Sequence, residues 1–271
     1  MDSLENIVRT SDPDRYIAAL FAPAQRRAHL FALYALNHEL GHIAEVVRQP
    51  MMAEIRLQWW RDALVEARAG KPRGHEVLQG IAKAFAAAEI PQDALDAMID
   101  ARALDSGAEM FADMAALEAY ADATSGNLMR IAARILGQPA DDAAREAGIA
   151  YALTGILRAM PFHAARRKLF LPLDALKAEG LDPEDVFASR EIAKIERVFA
   201  IVAACARQHL AEVRKMKKPG KALPALMPAT AVPFYLKRMT RRDFNPFRER
   251  SDIAMYRRQL AMLAASFRGR P

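Results

Sequence analysis

The residues whose types and spacing suggest chemistry most directly are His38, Glu39 and His42, which form a complete H-E-x-x-H pattern. On a helix, this spacing places two imidazoles one turn apart, with the glutamate as a general base for a zinc-bound water. A zinc site needs a third protein ligand, and the next helical segment offers Glu66 as a candidate. Glu45, three residues after His42, is a further candidate ligand of a metal site at the two histidines.

Three interpretations of this stretch stay open. The first is a zinc peptidase, but such enzymes usually bind their peptide along a sheet edge, and no segment has the alternating pattern of a strand. The second is an adventitious metal site at His38 and His42. The third, which the sequence favours, is that both histidines are polar residues lining or rimming a pocket.

The elements that must position these residues are almost all helical. Apolar residues recur at helical spacing, and prolines and glycines interrupt the pattern. This predicts one all-α domain over residues 1–271, with an irregular connector at 168–187. The predicted helices span 13–47, 51–69, 75–89, 91–105, 114–136, 140–160, 190–217, 224–240 and 251–267.

Composition narrows the class of protein. The hydrophobic fraction of 52% is typical of a globular chain, and a single cysteine, Cys205, excludes an internal disulfide framework and fits a reducing compartment. Its apolar neighbours predict a buried structural thiol.

The acidic N-terminal segment does not resemble a signal or transit peptide, and no apolar run reaches the length of a bilayer span. We therefore expect a cytoplasmic protein, either soluble or peripheral on the inner membrane.

Charge is distributed unevenly along the chain. Residues 214–271 contain 15 Lys and Arg against 3 Asp and Glu, whereas the whole chain has a net charge of +6. A basic C-terminal quarter favours contact with an anionic membrane surface or an acidic partner. The alternative is a solvated basic face. No nucleic-acid-binding module is recognisable, so we expect no nucleic acid partner.

Several short motifs occur in a fixed order over about residues 13–180. This order resembles the squalene/phytoene synthase family, and the resemblance implies an isoprenoid-synthase-type helical bundle with a central cavity. The last ninety residues match only in being helical. The motifs are Arg26-Arg27, Ala32-Leu33-Tyr34-Ala35, Arg56-Leu57-Gln58-Trp59-Trp60-Arg61, Tyr120 with Thr124-Ser125-Gly126-Asn127-Leu128-Met129, the segment GIAYALTGILR at 148–158, and the segment RRKLFLP at 166–172.

The positions at which the family holds magnesium have changed. Family members condense two isoprenyl diphosphates, and two carboxylate pairs hold the magnesium ions that neutralise the leaving group. The resemblance places these four positions at Gly41, Glu45, Ala159 and His163, of which one is acidic. Pro161 is expected to end the second motif helix. We therefore expect no catalytic residues, no metal and no cofactor, with Mg²⁺ relevant only if transferase activity survives.

The same substitutions resemble a non-catalytic branch of the family that includes mitochondrial respiratory complex I assembly factors. The similar segments are Asn37-His38-Glu39-Leu40 and the run LRAMPFH at 157–163. The resemblance implies a bacterial pseudoenzyme that helps to assemble a respiratory complex by binding a lipid or a partner subunit. The alternative is a prenyl transferase acting on farnesyl or geranylgeranyl diphosphate.

Aromatic and basic side chains near the altered motifs are candidates for binding a prenyl or lipid ligand. The aromatic residues could contact a chain in the cavity, and the basic ones could hold a phosphate or diphosphate headgroup. A buried structural role for the tyrosines and a solvated basic loop are the alternatives. The candidates are Tyr34, Glu39, Tyr151, Arg158, Arg166, Arg167 and Lys168.

Overall fold

Helices follow one another along the whole chain. The computed structural model describes residues 3–47, 49–107, 110–242, 244–249 and 251–271. No strand is present within those ranges, so the all-α prediction is confirmed. None of the helices in the described ranges combines the length and the apolar character needed to cross a bilayer.

The helices differ greatly in length, and the two longest lie near the centre of the sequence and in its second half. The helices are α1 (Ser3–Ser11), α2 (Pro13–Leu20), α3 (Ala24–Val46), α4 (Pro50–Arg68), α5 (Glu76–Ala87), α6 (Gln92–Ser106), α7 (Met114–Ala121), α8 (Asn127–Ile135), α9 (Asp141–Ala165), α10 (Leu173–Ala178), α11 (Pro183–Phe187), α12 (Ile192–Lys215), α13 (Leu223–Leu226), α14 (Val232–Met239) and α15 (Met255–Arg268).

The N-terminal region departs from the prediction in two ways. The segment 13–47 is two helices rather than one, because Pro23 precedes α3 in an extended conformation and has no N–H to continue α2. Asp12 caps α2 as expected, since its side chain accepts a hydrogen bond from the Arg15 amide. The additional helix α1 was not predicted, and it is held by burial of Leu4 and Val8 in the core.

The prediction that Pro161 ends the second motif helix is wrong. Helix α9 continues through Pro161 to Ala165. Proline removes one backbone donor, but the following turn is held by tertiary contacts. Ala164 is buried in the core, and the His163 ring lies 4.5 Å from the Phe170 ring. These contacts offset the missing hydrogen bond, so the last turn of α9 projects towards the cavity described below.

The predicted helix at 114–136 is confirmed except for a short π-helical turn, Asp122–Gly126, between α7 and α8. Gly126 in this turn packs directly against Gly148 of α9. A Cβ atom at Gly148 would lie 2.5 Å from the Gly126 Cα, which no side chain could tolerate unless the backbone shifted. The paired glycines therefore allow α9 and the π turn to approach closely.

The predicted irregular connector and the predicted helix at 224–240 are each more divided than expected. The connector contains α10 and α11. A capping box between Asp182 and Asp185 stabilises the N-terminus of α11. The C-terminal segment is split into α13, a 3₁₀ segment (Met227–Ala231) and α14. A proline begins or closely follows the start of each piece, which explains the breaks.

One hydrophobic core connects α1 to α14. Helices α3 and α9 are buried over most of their circumference, as is typical of central helices. Of the tryptophan pair on α4, Trp60 is buried in this core but Trp59 is 38% exposed.

Cys205 is only partly buried, whereas its apolar neighbours in the sequence predict a buried structural thiol. Cys205 on α12 is partly exposed, and its thiol donates a hydrogen bond of 3.0 Å to Glu118 Oε1 on α7. Burial, together with this carboxylate, raises the pKa of Cys205 to about 12, so the thiol is protonated at neutral pH. Cys205 packs partly against the core, and its thiol also contacts an acidic side chain of another helix, which the apolar run in the sequence could not reveal.

Candidate functional site

A cavity of about 730 Å³ lies between α3, α6, the π turn and the second half of α9. Its wall combines aromatic, basic and acidic side chains with small residues of α9. The lining residues are Ser11, Asp12, Arg15, Tyr34, Asn37, His38, Gly41, His42, Ala44, Glu45, Val47, Arg102, Asp105, Ser106, Tyr120, Thr124, Ser125, Tyr151, Ala152, Gly155, Ile156, Phe162, His163, Arg166, Lys168 and Phe170.

One wall of the cavity is organised around the buried guanidinium of Arg15. It forms an ion pair of 2.5 Å with Asp12 Oδ2 and donates a hydrogen bond of 3.1 Å to Ser125 Oγ in the π turn. Its carbon lies 4.9 Å from the centre of the Tyr151 ring. Arg15 thus ties α2 to the π turn and to α9 while keeping a positive charge at the cavity surface.

Tyr34 lies beside this group and is almost completely buried. Its side chain contributes to the cavity wall, while its hydroxyl oxygen is buried and has no hydrogen-bond partner among the described protein atoms. Burial raises the pKa of Tyr34 well above its ordinary value, so the hydroxyl stays protonated at any physiological pH. A buried polar group without a partner costs free energy, so this hydroxyl is suited to bind a polar atom of a ligand.

A second wall is organised around Arg102 on α6. Its guanidinium pairs with Asp105 Oδ2 at 3.0 Å and donates to Tyr120 Oη and Asn37 Oδ1, each at 3.3 Å. Burial lowers the pKa of Arg102, but Tyr120 and Asp105 outweigh it, so the pKa stands above its ordinary value. Arg102 is therefore a permanent positive charge within the cavity wall.

Arg102 also lies next to Gly41, one of the positions at which the family resemblance places a magnesium ligand. The guanidinium carbon is 3.7 Å from the place where a Cβ atom of Gly41 would be. An aspartate at this position would meet a positive side chain instead of a metal ion. A protein cation therefore stands next to a position where the family pattern has a metal-binding carboxylate.

The residues present do not fit a magnesium site. Among the carboxylates that line the cavity, Asp12 pairs with Arg15, Asp105 pairs with Arg102, and Glu45 accepts from His42 Nδ1 at 2.7 Å. Magnesium prefers oxygen ligands in near-octahedral geometry, and these carboxylates are each engaged by a cationic or imidazole group.

The remaining two family metal positions offer no oxygen ligand either. Ala159 has no polar side chain and does not line the cavity, whereas His163 does. Burial lowers the pKa of His163 to about 4, so its ring is neutral at physiological pH. A neutral imidazole is a poor ligand for the hard Mg²⁺ ion.

The H-E-x-x-H residues are not arranged as a zincin site. The rings of His38 and His42 stack with their centres 5.6 Å apart, and both line the cavity. Glu39 lies outside the cavity wall. Glu66, the candidate third ligand, is bound by Arg73 through two hydrogen bonds of 2.7 and 2.8 Å. The arrangement favours the third interpretation of this stretch, that of polar residues lining a pocket.

The other predicted ligand-binding residues divide into two groups. Tyr34, Tyr151, Arg166 and Lys168 line the cavity as expected for such a role. Arg158 and Arg167 do not line it: the Arg158 guanidinium carbon lies 3.9 Å from the centre of the Tyr235 ring, and Arg167 pairs with Glu184.

This difference follows from helical geometry. Arg158 is on α9, but a helix presents successive residues about 100° apart, and its side of α9 faces α14. Arg167 has a positive φ of 57°, and its guanidinium pairs with Glu184 of α11 instead of lining the cavity. Two adjacent arginines therefore have different surroundings, and only Arg166 lines the cavity.

Comparison with known proteins identifies the family and the fold of this chain. The family model described as squalene/phytoene synthase matches residues 8–259. This chain belongs to the squalene/phytoene synthase family. A solved dehydrosqualene synthase in complex with ligand aligns with a TM-score of 0.85 and 16% identity, covering 98% of this chain and 94% of that one. The expected isoprenoid-synthase-type fold is therefore confirmed.

The relatives of this squalene/phytoene synthase family member include proteins named for assembly and proteins named for synthesis. The NADH dehydrogenase (ubiquinone) complex I, assembly factor 6 of Homo sapiens is 30% identical over 246 residues, which cover 89% of this chain and 74% of that protein. The presqualene diphosphate synthase of Rhodopseudomonas palustris is 28% identical over 201 residues, which cover 70% of this chain and 71% of that protein. The family thus contains both an assembly factor and synthases.

Sequence analysis of this family member missed Arg15 and Arg102, the cations around which the two walls of the cavity are organised. Each has an acidic partner three residues away on the same helical segment, Asp12 and Asp105, and this i,i+3 spacing was the available signal. Such pairs are usually solvated surface pairs. These two arginines differ from surface pairs through their tertiary contacts: Arg15 binds Ser125, and Arg102 binds Asn37 and Tyr120.

Proposed function

We propose that this protein is a non-catalytic factor that binds an anionic lipid in its central cavity and assists in building a membrane respiratory complex. The observation that carries the proposal is the Arg102 guanidinium beside Gly41, where the family pattern places a metal-binding carboxylate. A fixed cation can hold an anionic headgroup, but it cannot bridge a carboxylate to a diphosphate as a metal ion does.

The charges of the cavity support metal-independent binding of an anion. Four cationic side chains line it: Arg15, Arg102, Arg166 and Lys168. Three carboxylates also line it and are paired, so one positive charge is in excess when the histidines are neutral. The Tyr34 hydroxyl, which has no hydrogen-bond partner among the described protein atoms, adds a donor beside this wall. A phosphate headgroup would find charge-assisted hydrogen bonds without magnesium.

Adjacent arginines provide a matched test of this binding. We expect Arg166→Gln to weaken binding of phosphatidic acid or farnesyl diphosphate about 10–150-fold, because one charge-assisted hydrogen bond contributes about 1.5–3 kcal/mol. Arg167→Gln removes the same charge outside the cavity and should leave affinity unchanged. Titration calorimetry in EDTA would measure both variants with each ligand, which also distinguishes a membrane phospholipid from a soluble prenyl diphosphate. Equal loss in both variants would mean that general charge rather than the cavity governs binding.

The alternative function is a prenyl transferase that acts on farnesyl or geranylgeranyl diphosphate. The observation that favours transferase activity is that the cavity wall still contains several carboxylates. Incubation with farnesyl diphosphate and Mg²⁺ separates the two functions. We expect no inorganic pyrophosphate above the background of a heat-denatured sample. Magnesium-dependent release of pyrophosphate with formation of a condensed hydrocarbon would refute the non-catalytic proposal.

The assembly role is proposed from the relatives that are named complex I assembly factors. Deletion of the gene in the source organism should lower the amount of assembled complex I and the rate of NADH oxidation by isolated membranes. Re-expression of the wild-type chain should restore both. If assembled complex I and NADH oxidation are unchanged in the deletion strain, the assembly role is wrong, whatever the cavity binds.

We also propose that α15 contacts an anionic membrane surface. Four large apolar side chains form one stripe on this helix and are 44–82% exposed: Tyr256, Leu260, Leu263 and Phe267. Arg257 and Arg268 flank the stripe. An exposed apolar stripe with basic neighbours is typical of a helix that lies in the membrane interface.

Vesicle flotation tests this contact. The wild-type protein should float with phosphatidylglycerol vesicles at low salt, less at high salt, and not with neutral phosphatidylcholine vesicles. Phe267→Ser should reduce flotation several-fold. Val65→Ser, which changes an exposed apolar residue on α4, is the matched control and should have no effect. Flotation that is lost equally in both variants, or that is absent at low salt, would contradict the proposal.

A further inference from the structure

Away from the cavity, three helices bring together four side chains whose functional atoms are typical metal ligands. Cys205 and His209 are one turn apart on α12, Glu118 comes from α7, and Glu146 comes from α9. The ligand atoms of Glu118, Cys205 and His209 all lie within 4.8 Å of one another. The two residues on α12 are separated by four positions, so both face the same side of their helix.

Two of the distances between these side chains are close to those between the ligands of a tetrahedral zinc site. Glu118 Oε1 is 3.0 Å from Cys205 Sγ, and Glu118 Oε2 is 3.5 Å from His209 Nε2. Ligands placed about 2.0–2.3 Å from a tetrahedral zinc ion lie roughly 3.3–3.6 Å from one another. The two contacts use different oxygens of Glu118, so its carboxylate lies between the thiol and the imidazole, and the ligand atoms of all three residues lie within 4.8 Å of one another.

Glu146 completes the arrangement as a positioning residue. Its Oε2 lies 2.6 Å from His209 Nδ1, and its Oε1 accepts a hydrogen bond of 2.5 Å from Arg145. A carboxylate on one ring nitrogen fixes the tautomer so that the other nitrogen, Nε2, presents a lone pair. This is the carboxylate–histidine–metal arrangement of many zinc proteins. Arg145 balances the charge of Glu146, which leaves the charge of Glu118 for an ion.

From this geometry we propose that Glu118, Cys205 and His209 bind a zinc-type transition-metal ion, with Glu146 orienting His209 and water as the fourth ligand. On binding, the Cys205 thiol loses its proton to solvent and its sulfur bonds to the metal. Soft thiolate and imidazole ligands favour zinc over magnesium or calcium. This site is separate from the cavity and does not depend on the function proposed above.

The site would link metal binding to the cavity wall. Helix α7, which carries Glu118, leads directly into the π turn that supplies Thr124 and Ser125 to the cavity. A metal bridge from α7 to α12 would hold the start of that turn against the core. The side chains of Glu118 and His209 are 28% and 12% exposed, so an ion can reach the site from solvent.

Cobalt titration of the full chain tests the site, because the chain contains one cysteine. Any thiolate-to-cobalt charge-transfer band in the near ultraviolet must therefore come from Cys205. We expect this band to saturate at one cobalt per chain and to disappear when zinc is added. Zinc should also raise the midpoint of thermal unfolding, since a ligand that binds only the folded state stabilises it.

Variants distinguish this site from other metal binding. Cys205→Ser should abolish the band, whereas Glu146→Gln should keep it and weaken affinity about 10–100-fold. His42→Ala removes the histidine of the other i,i+4 pair and should change neither band nor affinity. Circular dichroism of the metal-free variants would confirm folding. The proposal is overturned if no band appears, or if His42→Ala weakens cobalt binding as much as His209→Ala does.

Discussion

Replacement of Gly148 with alanine should destabilise the protein even though alanine is the better helix former. Gly148 is inside α9, and an added Cβ would lie 2.5 Å from both the Cα and the backbone nitrogen of Gly126 and 2.8 Å from the carbonyl carbon of Ser125. Carbon atoms pack best at about 3.5–4.0 Å, so the two backbones would have to separate by about 1 Å. No rotamer change can relieve this contact, because the obstructing atoms are backbone.

The size of the effect follows from two opposing contributions. Alanine in place of glycine inside a helix contributes about 1 kcal/mol of stability. Overpacking a well-packed core costs about 1–3 kcal/mol, and the higher value applies when the backbone is the obstacle. The expected net loss is therefore about 2 kcal/mol. Since the obstructed turn carries Ser125, the hydrogen bond from Arg15 in the cavity wall should weaken as well.

Gly155, two turns further along α9, is the matched control. No described heavy atom beyond its own helix backbone and chain neighbours lies within 4 Å of an added Cβ at this position. Gly155→Ala should therefore gain about 1 kcal/mol, and the two variants should differ by about 3 kcal/mol. The midpoints of urea unfolding at unchanged m-value measure the difference. A Gly148→Ala midpoint at or above wild type would refute the packing argument.

Three further substitutions have expected outcomes. Burial lowers the pKa of His163 to about 4, so the folded state binds this proton less readily than the unfolded chain does. The free energy of unfolding should therefore be highest above pH 6.5 and fall by up to about 3 kcal/mol towards pH 4. His163→Phe should flatten this part of the profile of unfolding free energy against pH. Asp14→Ala should cost about 2–4 kcal/mol in urea unfolding, because two tyrosine hydroxyls and Arg258 lose their buried acceptor; an unchanged midpoint would contradict this. Thr154→Val should stay within about 1 kcal/mol of wild type, because among the described residues the buried hydroxyl bonds Ala150 O of its own helix and no other group; a larger loss would mean a further partner.

Much of the architecture could be predicted from the sequence. Helical periodicity, a capping aspartate at Asp12 and proline punctuation located the long helices, because these signals act over one or two turns. The errors occurred where tertiary contacts outweighed local preference. Helix α9 continues through Pro161 because its last turn is packed against the core, and α1 forms because Leu4 and Val8 are buried.

The candidate site was predicted in part. The motif order located Tyr34, Tyr151, Arg166 and Lys168, all of which line the cavity. It could not locate Arg102, because its partners Asn37 and Tyr120 are distant in sequence. It could not separate Arg166 from Arg167 either, because the partner of Arg167 outside the cavity, Glu184, lies 17 residues further along the chain.

The sequence by itself determined the helical class, the family motifs and the loss of carboxylates at the magnesium positions, because composition and spacing are properties of the chain alone. Tertiary structure decided what replaced them. The placement of Arg102 beside Gly41, and of Glu118 and Glu146 around Cys205 and His209, depends on which helices pack together. Charges become chemically specific only when burial and distance fix their partners, and those are set by the fold.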